Sequence, residues 1–121
     1  MFSFRIQGGE GRKRRDLVEN EAVLFQEAPM AIQAFPAGEG NKADSAVLVD
    51  DPCVVLSAWR KISNEEAYLL RLFESTGKER RVKIELPLAE ICKEFTIGGY
   101  EVKTLKYNPL DRTLKESGIF G

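Results

Sequence analysis

Short segments in which apolar and polar residues alternate, separated by turn residues, run through most of this chain. In residues 82–86, for example, Val82, Ile84 and Leu86 point one way while Lys83 and Glu85 point the other, a period of two that is typical of a half-buried strand. Alternation, or a short apolar run between turn residues, predicts strands at residues 2–6, 30–35, 46–49, 67–74, 82–86, 91–97 and 100–107. The nearly all-apolar run at residues 53–59 predicts a further strand, covered on both faces. Strands of this length and spacing predict an all-β fold, an antiparallel β-sandwich of about eight short strands with at most one short helix.

The domain organisation follows from the turn residues and from one ambiguous stretch. We expect residues 1–108 to form a single β-sandwich domain, and residues 109–121, which follow Asn108-Pro109, to form a loose C-terminal tail. Residues 16–28 fit two structures. Asp16 could cap a short helix with Val18, Ala22 and Phe25 at helical spacing, or residues 22–25 could form a short strand. We favour a short helix or an irregular connection.

Charge and hydropathy exclude several classes of partner. The net charge of −1 gives no global attraction to nucleic acid or to an anionic membrane. The basic run at residues 12–15 is followed at once by Asp16, Glu19 and Glu21 and has no interleaved aromatic residue, so a solvated loop is favoured over a nucleic-acid or targeting patch. No apolar segment has the length of a signal peptide or a membrane span. We therefore expect a cytoplasmic protein, provided that the chain is not an excised fragment.

The residue inventory leaves little room for catalysis. The chain has no histidine, which removes Ser–His and Cys–His nucleophile pairs. Cys53 and Cys92 alone cannot build an ordinary structural zinc site. One disulfide is possible, but two buried free thiols are favoured. The glycines at residues 8–11 lack the lysine and hydroxyl residue of a phosphate-binding loop. No catalytic, cofactor-binding or metal-binding residue is predicted in this chain.

Four polar or aromatic residues are candidates for a structural role. Glu74 and Glu101 could be a glycosidase pair of carboxylates, but basic residues close in sequence favour structural ion pairs. Arg71 lies in an otherwise apolar strand and either faces solvent or pairs with a carboxylate across the sheet, Glu101 being one possible partner. Trp59, the only tryptophan, could stack on a sugar ring. We favour a place in the inter-sheet core, where Tyr68 would meet it across the hairpin.

Three of these segments, in this order, resemble one protein family. Residues 54–58, then residues 70–74 with Gly77, then residues 100–105 are similar to "vvlsalk", "lRlyE..G" and "pyEiKTl" in the C-terminal β-domain of glycoside hydrolase family 38 α-mannosidases. Upstream, Glu21-Ala22 followed by Ala28-Pro29 is similar to a family segment ending "N.P", with alanine in place of asparagine. The resemblance covers most of residues 2–107.

The chain also departs from that family. Members commonly carry a Pro-His-x-Gly stretch after the first strand, whereas residues 7–11 here contain neither proline nor histidine. The segment between Leu86 and Tyr100 is shorter than in the longer relatives.

The resemblance implies a non-catalytic role. In that family the zinc ion and the carboxylate nucleophile of a retaining mechanism belong to a large N-terminal α/β domain that this chain lacks, so we expect zinc in the parent and no cofactor here. The chain would be the C-terminal sandwich that packs against that catalytic domain and supports its oligomer. The parent would cleave terminal α-linked mannose. Mannose-containing glycans are then possible partners. The alternatives are an independent carbohydrate-binding module using Trp59, or an immunoglobulin-like interaction module.

Overall fold

The computed structural model describes residues 2–28, 30–31 and 45–118 of the chain. One helix precedes a series of antiparallel strands. The elements are α1 (Gly11–Gln26), β1 (Leu48–Val49), β2 (Val54–Lys61), β3 (Tyr68–Glu74), β4 (Arg80–Leu86), β5 (Ile91–Ile97), β6 (Val102–Asn108) and β7 (Thr113–Ser117), with a short 3₁₀ turn at Pro87–Ala89 between β4 and β5. Every pair of neighbouring strands is antiparallel.

The strands form two sheets that enclose one apolar core. A three-stranded sheet has the order β1-β4-β5, and a four-stranded sheet has the order β2-β3-β6-β7. The period of two sends alternate side chains of each strand inward. The two inner faces contribute these buried residues to the core: Val54, Leu70, Leu72, Val82, Ile84, Leu86, Ile97, Leu105 and Leu114. Full burial of each such side chain contributes roughly 1.5–3 kcal/mol. The predicted antiparallel β-sandwich is confirmed.

The order of the strands along the chain separates two kinds of connection. The chain passes from one sheet to the other at residues 50–53, 75–79 and 98–101, and it makes hairpins within a sheet at residues 62–67, 87–90 and 109–112. Because successive strands run in opposite directions, all three crossovers lie at one end of the sandwich and all three hairpins at the other. We call these the crossover end and the hairpin end.

A β-bulge in β2 decides which way Trp59 points. Leu56 lies opposite Leu72, but the next registered pair is Ala58 with Arg71, so Ser57 is the extra residue. The Ser57 hydroxyl donates a hydrogen bond of 3.1 Å to the Arg71 carbonyl oxygen. The bulge returns Trp59 to the inner face, opposite Leu70. The run at residues 53–59 resembled a strand covered on both faces. In fact Ser57 and Trp59 are exposed.

The N-terminal residues differ from the prediction. Residues 2–6 form no strand, and Phe2, Phe4 and Ile6 are 101%, 84% and 88% exposed. An alternating pattern gives a strand only when a partner strand supplies the backbone hydrogen bonds. The helix begins at Gly11, before Asp16, so Asp16 is not its cap. The basic run at residues 12–15 is consequently helical and not a loop.

The strand predicted at residues 30–35 lies almost wholly outside the described residues, and Met30 and Ala31 are irregular. Residues 38–42, whose glycine-rich polar sequence favours a loop, also lie outside them. The expectation of a loose tail was wrong for Thr113–Ser117, which pairs with β6 and buries Leu114 in the core. In the part of the chain that the structure describes, no helix combines the length and apolar character needed to cross a membrane.

Candidate functional site: the crossover cluster

The crossover end contains a cluster of residues centred on the buried carboxylate of Glu74. Glu74 is the last residue of β3 and lies on the same face as Leu70 and Leu72, because side chains two residues apart share a face. The side chain is therefore directed into the sandwich and is 0% exposed. A buried charge is tolerated only when it is paired and hydrogen-bonded. We define the crossover cluster as Asp51, Cys53, Glu74, Thr76, Gly77, Arg80, Gly99 and Tyr100.

The turn after β3 wraps around the Glu74 carboxylate. The backbone N–H of Thr76 donates to both carboxylate oxygens at 3.0 Å, and its hydroxyl donates to Oε1 at 2.5 Å. The N–H groups of Gly77 and Lys78 donate to Oε2 at 2.6 and 3.2 Å. Tyr100, from the β5–β6 crossover, adds its N–H at 3.1 Å. One carboxylate thus joins two of the three crossovers.

Arg80 adds a counter-charge and reaches the third crossover. Its Nε donates to Glu74 Oε1 at 2.9 Å, Nη1 donates to Asp51 Oδ2 at 3.0 Å, and Nη2 donates to Thr76 Oγ1 at 2.8 Å. The other Asp51 oxygen accepts the backbone N–H of Cys53 at 2.8 Å. The guanidinium group is planar and carries donors in fixed directions, so it holds these three acceptors in one arrangement.

These contacts keep Glu74 ionised. Burial alone raises the pKa of a carboxyl group, but the hydrogen bonds from Thr76, Tyr100, Arg80 and Gly77 outweigh it and lower the pKa of Glu74 to about 2. At neutral pH the group is a carboxylate whose acceptor positions are occupied by the protein. It therefore has no proton to give and no access to a substrate, and it cannot act as a general acid.

Two glycines let the crossovers approach each other closely. Gly77 has a φ of +81°, and a Cβ there would lie 2.5 Å from the Tyr100 ring. A Cβ on Gly99 would lie 2.4 Å from the carbonyl carbon and oxygen of Gly77. Backbone therefore packs directly on backbone at this point, and the Tyr100 ring lies against Gly77. The geometry requires glycine at both positions.

Glu101 lies beside the cluster and has its own partners. Its carboxylate accepts the Gly98 N–H at 2.5 Å and forms an ion pair with Lys103 at 3.2 Å. The Gly98 hydrogen bond is the main reason that the pKa of Glu101 is lowered, with Lys103 adding to it. Arg71 lies in mid-strand, half-buried, across from Ala58 and Thr104. The fold thus brings Glu74 and Glu101 to the crossover end, and Arg71 lies three residues before Glu74 in the same strand.

Trp59 lies at the opposite end of the sandwich. It is 37% exposed, and it packs edge-on against Tyr68 with ring centroids 6.2 Å apart. Tyr68 in turn stacks on Tyr107 at 6.2 Å. The indole is therefore at the margin of the inner face and not in the inter-sheet core that the sequence favoured. The Tyr68 contact across the hairpin is present.

A cleft of about 500 Å³ separates the crossover cluster from α1, with Asp16, Leu17, Asp51 and Arg80 in its walls. Cys53 is buried here and donates to the Asp16 carbonyl oxygen at 3.4 Å. Burial raises the pKa of the Cys53 thiol, and the nearby Arg80 opposes this only partly. Both cysteines are free thiols, but Cys92 is exposed, contrary to expectation, because it points outward from β5.

Through Glu74 and Arg80 the cluster connects all three crossovers. Over residues 2–28, 30–31 and 45–118, no three histidine, cysteine, aspartate or glutamate side chains are grouped so that they could hold a metal ion. Sequence reasoning missed Asp51, Thr76 and Arg80. Residues 50–52 and 75–79 lie between predicted strands and contain turn residues, but nothing in their spacing shows that they meet.

Comparison of the chain with protein-family models, with curated protein sequences and with solved structures found no match.

Proposed function

We propose that this chain is the non-catalytic C-terminal β-sandwich domain of an α-mannosidase, and that it packs against a catalytic domain outside the chain. The observation that carries the proposal is the convergence of the residues behind the resemblance. Glu74 and Gly77 belong to one of the similar segments and Tyr100 to another, and all three meet in the crossover cluster. The residues that this chain shares with the family at these positions therefore have a common structural role. That favours a domain of the family's type over a chance likeness in strand pattern.

The chemistry of the cluster agrees with a supporting role. Its ionised carboxylate is enclosed by backbone N–H groups and Arg80, so Glu74 would contribute neither an acid nor a nucleophile to glycoside cleavage. The zinc ion, the nucleophile and the α-mannoside site belong to the catalytic domain in this proposal. The assembled enzyme would work on mannose-containing glycans in the cytoplasm.

The direct test is complementation. A family 38 α-mannosidase from which the C-terminal β-domain has been deleted is co-expressed with the 121-residue chain, and the two are tested for co-purification and for cleavage of a chromogenic α-mannoside. We expect the chain to restore soluble, active enzyme and to have no activity alone. The variant Gly99→Val, which would break the crossover cluster, should fail to restore it. Cleavage by the purified chain alone, or no association with the truncated enzyme, would contradict the proposal.

A carbohydrate-binding module is the second candidate, and the exposure of Trp59 beside Tyr68 favours it. A partly exposed indole next to another ring is a platform on which a sugar ring can stack. Because the chain has one tryptophan, its fluorescence reports this position alone. A saturable change on titration with mannose oligosaccharides, lost in calorimetry with Trp59→Ala but kept with the exposed-residue control Leu88→Ala, would support this candidate. No change in fluorescence or heat would exclude it.

A further inference from the structure

The first turns of α1 concentrate positive charge. They carry the basic run at residues 12–15, and the first turn contains no acidic residue. The positive end of the helix dipole lies at the same place, so these side chains are repelled both by the dipole and by one another. A negative charge beside these turns would relieve the repulsion.

The protein supplies that negative charge to only half of the run. Lys13 and Arg14 each form an ion pair with a glutamate, at 3.1 and 2.5 Å. In the part of the chain that the structure describes, no side chain pairs with the guanidinium group of Arg12 or of Arg15. Arg12 and Arg15 are three residues apart and are therefore neighbours on one side of the helix. That side presents two arginines without a counter-charge.

These two arginines meet a third basic residue at the crossover end. A cavity of about 390 Å³ lies between α1 and the β3–β4 crossover, and it is lined by Arg12, Arg15, Asp16, Thr76 and Lys78. Asp16 pairs with Lys78 at 3.5 Å, but an ammonium group has three donors and one carboxylate does not occupy them all. Three cations against one carboxylate leave the cavity with a net charge of two positive units.

The charge and the chemistry of the lining indicate the class of ligand. A phosphate monoester carries about −1.5 to −2 charges at neutral pH, which matches the charge of the cavity. The arginine fork binds two phosphate oxygens at once, and lysine adds a compact positive charge. Nucleic acid fits less well, because the chain has a net charge of −1 and none of the described residues that line the cavity is aromatic.

We propose that Arg12, Arg15 and Lys78 form a binding site for a small molecule that carries a phosphate group. Such a ligand contacts both α1 and the β3–β4 crossover and therefore holds the helix on the sandwich. Since α1 contains no buried residue, a ligand that binds only the docked helix should stabilise it measurably. The inference does not depend on the mannosidase proposal, because binding is measured on this chain without any enzyme.

The test is a titration of the full chain with inorganic phosphate, followed by the NMR shifts of the backbone amides. Ionic strength is held constant with chloride, so that general screening of charge does not change. We expect saturable shifts at residues 12–16 and 76–78, and slower hydrogen exchange in α1 when phosphate is bound. Nitrate has a single charge and should bind roughly tenfold or more weakly.

Variants locate the site. Arg12→Gln with Arg15→Gln should weaken phosphate binding by roughly 100-fold, and Lys78→Gln by roughly tenfold. The matched control is Arg5→Gln with Arg60→Gln, which removes the same charge from two arginines outside the cavity and should change the affinity by less than about twofold. All five side chains are exposed, so far-UV circular dichroism of every variant should match the wild type.

Four outcomes would overturn the proposal. One is the absence of saturable shifts up to about 10 mM phosphate. Another is an equal loss of affinity in the control, since binding would then reflect the overall charge of the chain. A third is unchanged binding in Lys78→Gln, since the crossover would then not belong to the site. The fourth is a short single-stranded oligonucleotide that binds the same residues much more tightly than phosphate, which would identify a nucleic acid as the ligand.

Discussion

Glu74 illustrates what a buried carboxylate requires of the residues around it. It accepts backbone N–H groups from its own turn and from the next crossover, and it faces Arg80. Charge-assisted hydrogen bonds of this kind are stronger than neutral ones. Removal of one partner would leave the remaining charges buried and unpaired, which costs more than the pair itself contributes. The cluster therefore behaves as a unit.

Acid should unfold this protein through Glu74. The pKa of the carboxyl group is about 2 in the folded protein and has an ordinary value of 4.5. Between those values the unfolded chain binds the additional proton, so the free energy of unfolding falls as the pH falls. The contribution is complete above about pH 5 and is lost by about pH 2, and it amounts to on the order of 3 kcal/mol. Urea unfolding across this range measures it.

The variant Glu74→Gln isolates that contribution. It keeps the shape but removes the charge opposite Arg80, so we expect a loss of about 2–4 kcal/mol at neutral pH. The difference from wild type should shrink as the pH approaches about 2. The matched control is Glu94→Gln, which breaks an exposed ion pair with Arg81 and should cost less than about 1 kcal/mol. If the two substitutions lowered the free energy of unfolding equally, Glu74 would contribute no more to stability than an exposed ion pair.

Gly99 should tolerate no side chain. A Cβ would lie 2.4 Å from the Gly77 backbone, which has no flexible end to move aside. We expect Gly99→Ala to destabilise the protein by about 2–4 kcal/mol. Gly118→Ala is the control, since a Cβ there meets no atom within 4 Å, and it should change stability by less than about 0.5 kcal/mol. Thermal melts of both variants, compared with wild type, test this; a neutral Gly99→Ala would contradict the close approach of the two crossovers.

Among the elements, β7 and the N-terminal residues 2–6 show where the hydrophobic pattern of the sequence fails to predict a strand correctly. In residues 113–117 only Leu114 reaches the core. One apolar position in an otherwise polar segment gives no periodic signal, so the strand was not predicted. The alternation at residues 2–6 is clear, yet no strand forms there. A hydrophobic pattern shows which face is suited to burial, and the presence of a neighbour decides whether burial happens.

Two deletions should therefore destabilise the protein to very different extents. Removal of residues 109–121 takes away β7, the β6 hydrogen bonds and Leu114, and should cost about 3–5 kcal/mol. Removal of residues 2–26 takes away α1, which buries no side chain, and should cost about 1 kcal/mol or less. Chemical denaturation of both truncated chains measures the difference. A larger loss from the N-terminal deletion would show that α1 supports the sandwich.

At the scale of the whole molecule, the sandwich should be most stable at its crossover end. The N–H groups of Gly77 and Tyr100 lie in turns but donate to the buried Glu74. Native-state hydrogen exchange should show these amides protected as strongly as those of β3. The amides of α1 and of Asn64 in the β2–β3 hairpin should exchange much faster. Rapid exchange at Gly77 and Tyr100 would mean that the turn opens independently of the sheets.

The strand pattern predicted the two-sheet fold, because alternation and turn residues are local properties of the sequence. The site was harder to predict. Glu74 and Glu101 stood out as carboxylates near strand ends, but Asp51 is 23 residues before Glu74 in the sequence and contacts Arg80 only because two crossovers coincide in space. The face of the sheet on which Trp59 lies depends on the bulge at Ser57. Counting alternate residues along the sequence therefore does not predict it.

Because the crossovers and the hairpins lie at opposite ends of the sandwich, the two ends should differ in how well they tolerate insertions and sequence changes. Loops at residues 62–67 and 109–112 connect neighbours within one sheet, and the Glu74 network does not extend to them. Lengthening a flexible surface loop costs little free energy. The hairpin loops could therefore be lengthened or randomised, in natural variation or in a display library, while the Glu74 network at the crossover end holds the two sheets together.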